Sequence, residues 1–495
     1  MHMPEPDSAV LAERDDIIAG LRSLVPGEGV IAGGTALKAY ETDGFTAYRQ
    51  PPFAVVLPET VDQVAAVLRF CQARAVKVVP RGAGTSLSGG ALPLADGILL
   101  GLSRFNRILD IDLANACAVV QPGVTNLAIS EAVDADGYYY APDPSSQIVC
   151  TIGGNVAENS GGVHCLKYGL TTNNLLSLEV VLMNGDVVRL GGKHFDAPGY
   201  DLMGVMTGSE GLLGVITEVT VRLLRKPEAA QALLLGFGSN AAAGDCVARV
   251  ISGGIVPAGM EMMDRDAIHA AEEYCHAGYP RDVAALLIVE LDGPPVEIDT
   301  LLTRVEGIAA QAGATHIRRS RNEVERLAFW AGRKAAFPAI GRISPDYIVM
   351  DGTIPRGRLA EVLVKTAEFA AQYELRVANV FHAGDGNLHP MIMYDANKPG
   401  DLEKAETMGA DILKLCVAVG GVLTGEHGVG VEKRDLMGVM FSEDDLNHQQ
   451  RLKCAFDPDG RLNPGKVFPT LRRCAELGKM HIHRGQMPFP DLPRF

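Results

Sequence analysis

The stretch Pro80-Arg-Gly-Ala-Gly-Thr-Ser-Leu-Ser-Gly-Gly90 decides the fold class of this chain. Its small residues let backbone N–H groups approach an anion, and its hydroxyl side chains add donors. It lacks the G-K-[ST] of a P-loop, and Leu87 stands where a dinucleotide fingerprint starting at Gly82 needs glycine. Taken alone, the loop is as compatible with a plain turn between strands as with a phosphate cradle.

Two further glycine-rich segments follow within the same part of the chain. The second is Thr151-Ile-Gly-Gly-Asn-Val-Ala-Glu-Asn-Ser-Gly-Gly162, preceded by Pro142-Asp-Pro-Ser-Ser146. The third is Thr207-Gly-Ser-Glu-Gly-Leu-Leu-Gly-Val-Ile-Thr217. Three such loops favour a long, phosphate-bearing ligand over three unrelated turns.

Hydrophobic patterning around the loops indicates a mixed α and β fold. Strands are predicted at 53–57, 77–79, 97–102, 116–121 and 177–183, with helices at 60–73, capped by Thr60, and 125–135. After Arg225-Lys226-Pro227 the composition changes. Strands at 285–291 and 347–350 then alternate with amphipathic helices such as 358–373, which predicts a smaller sheet with helices on one face. We therefore predict a first domain at 1–226, which begins with a helical lead to about residue 48, and a second domain at 227–440. The segment 441–495 is predicted to pack back on the first domain.

Composition excludes several classes of protein. The chain has 495 residues, 47% of them hydrophobic and 21% charged, which suits two or three globular domains. A net charge of −15 argues against a nucleic-acid partner. The scattered cysteines form no C-x-x-C pair, so we expect reduced thiols rather than an iron–sulfur cluster or a zinc ribbon. Without an evident signal peptide or an apolar run of membrane-spanning length, we expect a cytoplasmic protein with no transmembrane segment.

Two short clusters carry metal-ligand chemistry: His382-Ala-Gly-Asp-Gly-Asn-Leu-His389 and Gly425-Glu426-His427-Gly428. The first reads as a hairpin in which His382 and His389 lie roughly opposite each other, so that both rings reach one cation. Glu426 is the predicted third ligand, and His427 is predicted to face the substrate as a base. A divalent metal is expected, zinc first, with manganese, cobalt and iron as alternatives. A lone strand histidine is usually a structural polar residue, but this set favours a metal.

These motifs together resemble a known family. The three glycine loops resemble the FAD-binding fold of the vanillyl-alcohol-oxidase type. HAGDGNLHP and GEHGVG resemble its branch that oxidises D-2-hydroxy acids: glycolate oxidase flavoprotein subunits, D-lactate dehydrogenases and D-2-hydroxyglutarate dehydrogenases. Phe329-Trp-Ala-Gly-Arg-Lys334 and Met350-Asp-Gly-Thr-Ile-Pro355 make glycolate oxidase subunits the nearest likeness.

The resemblance implies an α+β fold. Its parts would be a PP-loop type FAD-binding domain of two α/β subdomains, a ferredoxin-like antiparallel-sheet substrate domain and a helical C-terminal segment. The resemblance assigns to FAD binding Pro80, Arg81, Gly82, Ala83, Gly84, Thr85, Ser86, Gly89, Gly90, Pro142, Asp143, Ser145, Ser146, Gly153, Gly154, Asn155, Asn159, Gly161, Gly162, Tyr168, Gly169, Glu210, Gly211, Gly214, Ile216 and Asn463. No histidine occupies the 80–90 loop, and packing roles are expected for nearby His164 and Cys165, so we predict noncovalent FAD.

A mechanism follows from the resemblance and the clusters. The metal binds the carboxylate and hydroxyl of a small 2-hydroxy acid, and His427 removes the hydroxyl proton because the usual imidazole pKa is close to working pH. Hydride transfer to the flavin is expected, with abstraction of the Cα proton left open. Arg333 is a candidate clamp for the substrate carboxylate or else a solvated helix arginine. Asn387 either reaches the substrate or serves the turn.

Glycolate, oxidised to glyoxylate, is the predicted substrate. D-lactate and D-2-hydroxyglutarate are the alternatives, and the lack of lysine at 346–351 tilts against the latter. A metal-dependent hydrolase and a flavin-binding electron carrier are the rival classes. The resemblance implies a second flavin-binding subunit and an iron–sulfur subunit as partners. Electrons would then pass to them, to a quinone or to a soluble carrier, and such partners could hold the protein at the inner membrane.

Overall fold

The computed structural model of the protein describes residues 3–194 and 199–469. Three large β-sheets and a two-stranded ribbon follow one another along these residues. The predicted segment 441–495 is described only as far as residue 469. Its remainder, with Cys474, lies outside the described residues.

The first layer is a four-stranded sheet with helices. It contains α1 (Ser8–Ala12), α2 (Arg14–Leu24), β1 (Val30–Ile31), β2 (Ala54–Val56), α3 (Val61–Ala73), β3 (Lys77–Arg81) and β4 (Gly97–Gly101). The strand order is β1-β2-β4-β3, parallel except for β1. The predicted cap of α3 is present, since the Thr60 hydroxyl accepts the Gln63 N–H at 3.2 Å. The predicted lead is not wholly helical, because β1 within it pairs with β2 as an edge strand.

The second layer is an antiparallel sheet in the order β5-β6-β10-β8-β9, beside a ribbon of β7 and β11. It contains β5 (Ile108–Asp112), β6 (Cys117–Val120), α4 (Asn126–Val133), β7 (Tyr138–Tyr139), α5 (Ile152–Glu158), α6 (Cys165–Tyr168), β8 (Leu175–Val181), β9 (Val187–Gly191), α7 (Leu202–Met206), β10 (Val215–Arg222) and β11 (Leu224–Arg225). The prediction of an unbroken loop at 151–162 is wrong. Ile152 and Val156, one turn apart, pack into the core and make α5 a helix.

The third layer is a seven-stranded antiparallel sheet in the order β15-β12-β14-β13-β17-β18-β16. Its strands are β12 (Ala229–Phe237), β13 (Gly259–Asp264), β14 (Ala285–Gly293), β15 (Ala314–Arg319), β16 (Asp346–Val349), β17 (Arg376–His382) and β18 (Pro390–Tyr394). Its helices are α8 (Asn240–Ser252), α9 (Arg265–Cys275), α10 (Pro295–Gln311), α11 (Glu323–Ile340), α12 (Leu359–Tyr373) and α13 (Asp401–Ala418).

Helices cover both faces of this sheet, so the prediction of a smaller sheet covered on one face is wrong. Leu233 and Leu235 of β12 pack in one cluster with residues of α8, α10, α12 and α13. Leu234, between them, packs in another cluster with residues of α9 and α11. The central strands β12 and β14 contain the apolar runs 232–235 and 285–289, which is the pattern of strands buried on both sides.

The chain finally returns to the first layer through α14 (Met437–Met440) and α15 (Glu443–Phe456). Leu462 forms a parallel bridge with Val78 of β3, and Asn463 donates to the carbonyls of Gly90 and Glu210 at 2.8 and 2.7 Å. The return segment thus ties the first and third glycine loops together. Among the described helices, none combines the length and the apolar character that crossing a bilayer requires.

Candidate active site

One cavity of about 300 Å³ joins the glycine loops to the histidine clusters. The loops line it together with Phe337, His389, Glu426 and His427. The predicted FAD-binding residues that line it are Pro80, Arg81, Gly82, Ala83, Gly84, Thr85, Ser86, Gly90, Ser145, Ser146, Gly153, Gly154, Asn155, Glu210, Gly211, Gly214 and Ile216. Residues far apart in sequence therefore meet around a single space.

The other predicted FAD-binding residues stand behind this wall. They are Gly89, Pro142, Asp143, Asn159, Gly161, Gly162, Tyr168, Gly169 and Asn463. Gly161 is packed so closely that an added Cβ would lie 2.5 Å from Glu426 Oε2. Tyr168 donates to Asp292 at 2.6 Å and so contacts the third layer instead of the cavity. These residues shape the loops, and the structure gives them no direct access to the cavity.

The cavity wall fits a long anionic cofactor. A Cβ added at Gly82 would overlap Thr151 Oγ1, and Gly84 adopts a positive φ of 73°, so both positions require the absence of a side chain. Thr151 Oγ1 itself is buried and has no hydrogen-bond partner among the described residues. Close backbone approach and a free hydroxyl are what the phosphates and ribose of FAD need. The residues present therefore fit that cofactor.

Glu158 is a cavity residue that the sequence reasoning missed. Its Oε2 is buried without a hydrogen-bond partner among the described residues. Burial, together with the neighbouring Glu210 carboxylate, raises the pKa of Glu158 well above its usual value. The signal available in the sequence was a carboxylate inside the second glycine segment, where polar residues are otherwise uncharged.

The histidine hairpin forms, but in a different register from the one predicted. Asn379 pairs with Pro390, and His382 bridges Asn387, so His382 and His389 are not directly opposite. They are diagonal neighbours on one face, and their rings are 5.0 Å apart between centroids. The turn comprises residues 383–386, and Gly386, at a φ of 86°, closes it by donating its N–H to the His382 carbonyl at 3.0 Å. The side-chain alternation keeps both rings together despite the shift.

Glu426 completes a compact group of three ligand atoms. Its Oε1 lies 3.2 Å from His382 Nε2 and 3.1 Å from His389 Nε2. Burial opposes ionisation, but the two imidazoles hold the pKa of Glu426 well below its usual value. Two imidazole nitrogens and one carboxylate oxygen within 4.8 Å of one another suit a divalent cation such as zinc. The residues therefore fit a metal ion.

Asp351 holds the loop that carries Glu426 and was not predicted as a site residue. Its carboxylate is fully buried and accepts the N–H groups of Gly425, Glu426 and His427 at 3.0, 3.2 and 2.9 Å. Asp351, His389 and His427 form a second grouping of ligand atoms within 4.8 Å. Because Asp351 is already committed to three backbone donors, the group around Glu426 suits a cation better.

His427 stacks on His389, and its Nδ1 is buried without a hydrogen-bond partner among the described residues. Burial lowers the pKa of His427 to about 4, against the pull of Asp351. This departs from the expectation of a pKa near working pH, and the cause is desolvation that the sequence did not reveal. The imidazole is neutral at pH 7 and can accept a proton.

Two other predicted residues lie behind the cavity wall. Arg333 is buried and donates from Nε to Glu261 at 2.7 Å, so it is not a solvated helix arginine. Asn387 is buried against Gly425, where an added Cβ would lie 2.5 Å from its Cγ. Neither side chain lines the cavity.

His164 is paired with carboxylates. Its Nδ1 lies 2.8 Å from Asp143, and its Nε2 lies 3.3 Å from Glu290 of β14. Cys165 is buried, and neither residue lines the cavity. His164 thus joins the second layer to the third through Glu290.

The fold and the site define a redox enzyme with a flavin-binding α/β region and an antiparallel second region. Residues 52–191 match the family described as an FAD binding domain, and residues 226–467 match "FAD linked oxidases, C-terminal domain". The chain is 55% identical to the glycolate oxidase subunit GlcD of Escherichia coli K12, over 98% of this chain and 97% of that one. It is 32% identical to a D-lactate dehydrogenase of Archaeoglobus fulgidus, over 85% and 92%.

A crystal structure of p-cresol methylhydroxylase shares the fold, with a TM-score of 0.80 at 18% identity, covering 94% of this chain and 99% of that one. The chain belongs to the family of FAD-linked oxidases. The sequence-based assignment to the FAD-linked oxidases is thereby confirmed.

Proposed function

We propose that this protein oxidises a small D-2-hydroxy acid, glycolate first, to the corresponding 2-oxo acid, with FAD as the electron acceptor. The observation that carries the proposal is the shared cavity, which is lined both by the FAD-binding loops and by His389, Glu426 and His427. The 55% identity to a glycolate oxidase subunit, against 32% to a D-lactate dehydrogenase, favours glycolate over D-lactate.

FAD would be held by the three glycine loops in the PP-loop manner. Gly82 and Gly84 of the first loop would give the backbone access to the pyrophosphate, and Ser145, Ser146 and Ile216 line the same cavity. When bound, FAD supplies the acceptor for the hydrogen and two electrons that leave the substrate Cα. The link is proposed to be noncovalent, since His164 is committed to two carboxylates.

A divalent cation, zinc first and manganese, cobalt or iron as alternatives, would be held by His382, His389 and Glu426. When bound, the ion supplies a Lewis acid that lowers the pKa of the substrate hydroxyl. Catalytic metal sites typically have three protein ligands and one open position, which matches a set of three ligands here. Because His389 and Glu426 line the cavity, a 2-hydroxy acid bound to the ion would lie in the space that the FAD loops share.

His427 is proposed as the base that accepts the hydroxyl proton. Its ring is neutral, and the parallel ring of His389 beside it fixes its plane. A base with a pKa of about 4 is weak, so it depends on activation of the hydroxyl by the ion. Arg333, which lies behind the cavity wall next to Phe337, is proposed to bind the substrate carboxylate through Nη2, which has no hydrogen-bond partner among the described residues. Asn387 supports the turn between the two histidines.

The substrate alternatives are D-lactate and, less well supported, D-2-hydroxyglutarate. A dicarboxylate needs a second cation in the pocket, and the strand 346–351 provides no lysine. Membership in the FAD-linked oxidases removes the metal-dependent hydrolase from consideration. Partner subunits carrying a second flavin and an iron–sulfur cluster, or a quinone, are proposed as electron acceptors, and they would determine whether the protein is peripheral to the inner membrane.

Anaerobic titration of the purified flavoprotein with glycolate, D-lactate and D-2-hydroxyglutarate tests the proposal. Bleaching of the flavin absorbance should be fastest with glycolate. Faster bleaching with D-lactate would move the assignment to the alternative, and no bleaching with any of the three would contradict the function.

A further inference from the structure

Glu261 of β13 is a buried carboxylate that lies between two side chains of the candidate site. Its Oε1 is 2.6 Å from His382 Nδ1, and its Oε2 accepts from Arg333 Nε at 2.7 Å. The exposed fractions of the Glu261, Arg333 and His382 side chains are 0%, 1% and 5%. Both oxygens are therefore committed, away from water, to a proposed ion ligand and to the proposed carboxylate clamp.

The charges of Arg333 and Glu261 determine that Nδ1 of His382 carries a hydrogen. A guanidinium is always cationic in proteins, so its close partner Glu261 is a carboxylate anion. An anionic oxygen can only accept, and His382 Nδ1 must therefore carry the hydrogen. With Nδ1 held by Glu261, Nε2, which lies 3.2 Å from Glu426 Oε1, is the His382 nitrogen that would bind an ion. A carboxylate that holds one ring nitrogen in this way orients the other toward a metal ion.

The same carboxylate fixes the orientation of Arg333. The guanidinium is planar, so a hydrogen bond at Nε sets the direction of its other nitrogens. Nη2 is buried and has no hydrogen-bond partner among the described residues. The Arg333 head group also lies 5.8 Å from the ring centroid of Phe337, a residue of the cavity wall. An unpaired donor held this way suits an anionic oxygen.

We propose that Glu261 is a positioning residue that sets His382 for the metal ion and Arg333 for the substrate carboxylate at the same time. The proposal rests on the proposed function, because it takes the ion and the carboxylate from there. Glu261 comes from a strand that the metal motifs do not include, and it does not line the cavity.

Glu290 provides a matched control in the neighbouring strand. It is a buried carboxylate of β14 that accepts from Arg326 at 2.7 Å and lies 3.3 Å from His164 Nε2. Its surroundings thus repeat the arginine–carboxylate–histidine arrangement of Glu261. The difference is that His164 is not in the group of ion ligands.

Zinc affinity of the FAD-loaded protein tests the proposal. Wild type, Glu261→Gln and Glu290→Gln are stripped with a chelator and titrated with Zn²⁺ against a chromophoric competitor. Loss of a carboxylate behind a metal-binding histidine typically weakens the site about 10–100-fold, so Glu261→Gln should show that loss. Glu290→Gln should bind Zn²⁺ as wild type does, although it also loses a buried carboxylate.

A double variant separates positioning from charge imbalance. Glu261→Gln alone leaves the Arg333 cation unpaired, whereas Glu261→Gln with Arg333→Met removes both charges. The proposal expects weak Zn²⁺ binding in both. Wild-type affinity in Glu261→Gln, or its recovery in the double variant, would overturn the proposal while leaving the metal site in place. A wild-type protein that takes up no Zn²⁺ would instead contradict the metal site itself, and the positioning role with it.

Discussion

The rings of His389 and His427 lie face to face, with centroids 5.0 Å apart and planes 5° from parallel. His389 also lies 3.1 Å from Glu426 through Nε2. The proposed ion ligand and the proposed base therefore form one packed unit, and neither ring can tilt without displacing the other. This contact would place the proposed base beside the hydroxyl that the ion is proposed to activate.

His427→Ala should leave FAD bound and slow flavin reduction by glycolate about 10²–10⁴-fold, the usual contribution of a general base. FAD should stay because most of the cavity wall belongs to the glycine loops. Stopped-flow absorbance under anaerobic conditions measures the rate. His448→Ala, in an exposed position on α15, is the control and should reduce at the wild-type rate. An unchanged rate in His427→Ala would exclude it as the base.

Asp351→Asn should loosen the loop that carries Glu426 and His427. The amide turns one acceptor oxygen into a donor that faces backbone N–H groups, and hydrogen bonds to a buried charge contribute about 1.5–3 kcal/mol. We expect the free energy of unfolding in urea to fall by about that amount, together with Zn²⁺ affinity. Asp395→Asn, a comparable change near the surface, should alter neither quantity. Full Zn²⁺ affinity in Asp351→Asn would show that the loop does not depend on this carboxylate.

Lowering the pH should remove the contribution of the Glu290 carboxylate to the free energy of unfolding. Burial raises the pKa of this carboxyl, but the hydrogen bond and charge of His164, with Arg326 and Trp330, outweigh burial and hold it at about 2. Because the unfolded chain titrates near 4.5, the unfolded state binds more protons between these values, and the stabilisation is lost as the pH falls through this range. At neutral pH this lowered pKa corresponds to a stabilisation of about 3 kcal/mol.

The check is urea unfolding of wild type and Glu290→Gln from pH 7 down to pH 3. The difference in unfolding free energy should be largest at neutral pH and should shrink steadily below pH 4.5. Glu297→Gln, on the outer side of α10, should show no such trend. A difference that stays constant with pH would mean that the carboxylate charge contributes nothing.

The proposed metal ligands could be predicted from short sequence motifs. The residues that hold those ligands in place could not, because they are brought there by contacts between distant parts of the chain. The glycine loops and the His382–His389 hairpin are continuous in sequence, so their residue types and periodicity were informative. Glu261 lies in an unremarkable strand, and its bond to His382 spans 121 residues. Asp351 was visible in the sequence, but its role depends on the third sheet placing β16 near the Glu426 loop. Desolvation of His427 likewise follows from packing, which no local pattern contains.

Gly82→Val should weaken FAD binding. A Cβ at this position overlaps Thr151 Oγ1 on the cavity wall, and overpacking costs about 1–3 kcal/mol, which corresponds to about a 5- to 150-fold loss of affinity. Equilibrium dialysis of the apoprotein with FAD measures this loss. Gly307→Ala in α10, where a Cβ meets nothing within 4 Å, is the matched control and should keep wild-type affinity. Wild-type affinity in Gly82→Val would mean that the first glycine loop does not contact the cofactor, because the added side chain has no other space to enter.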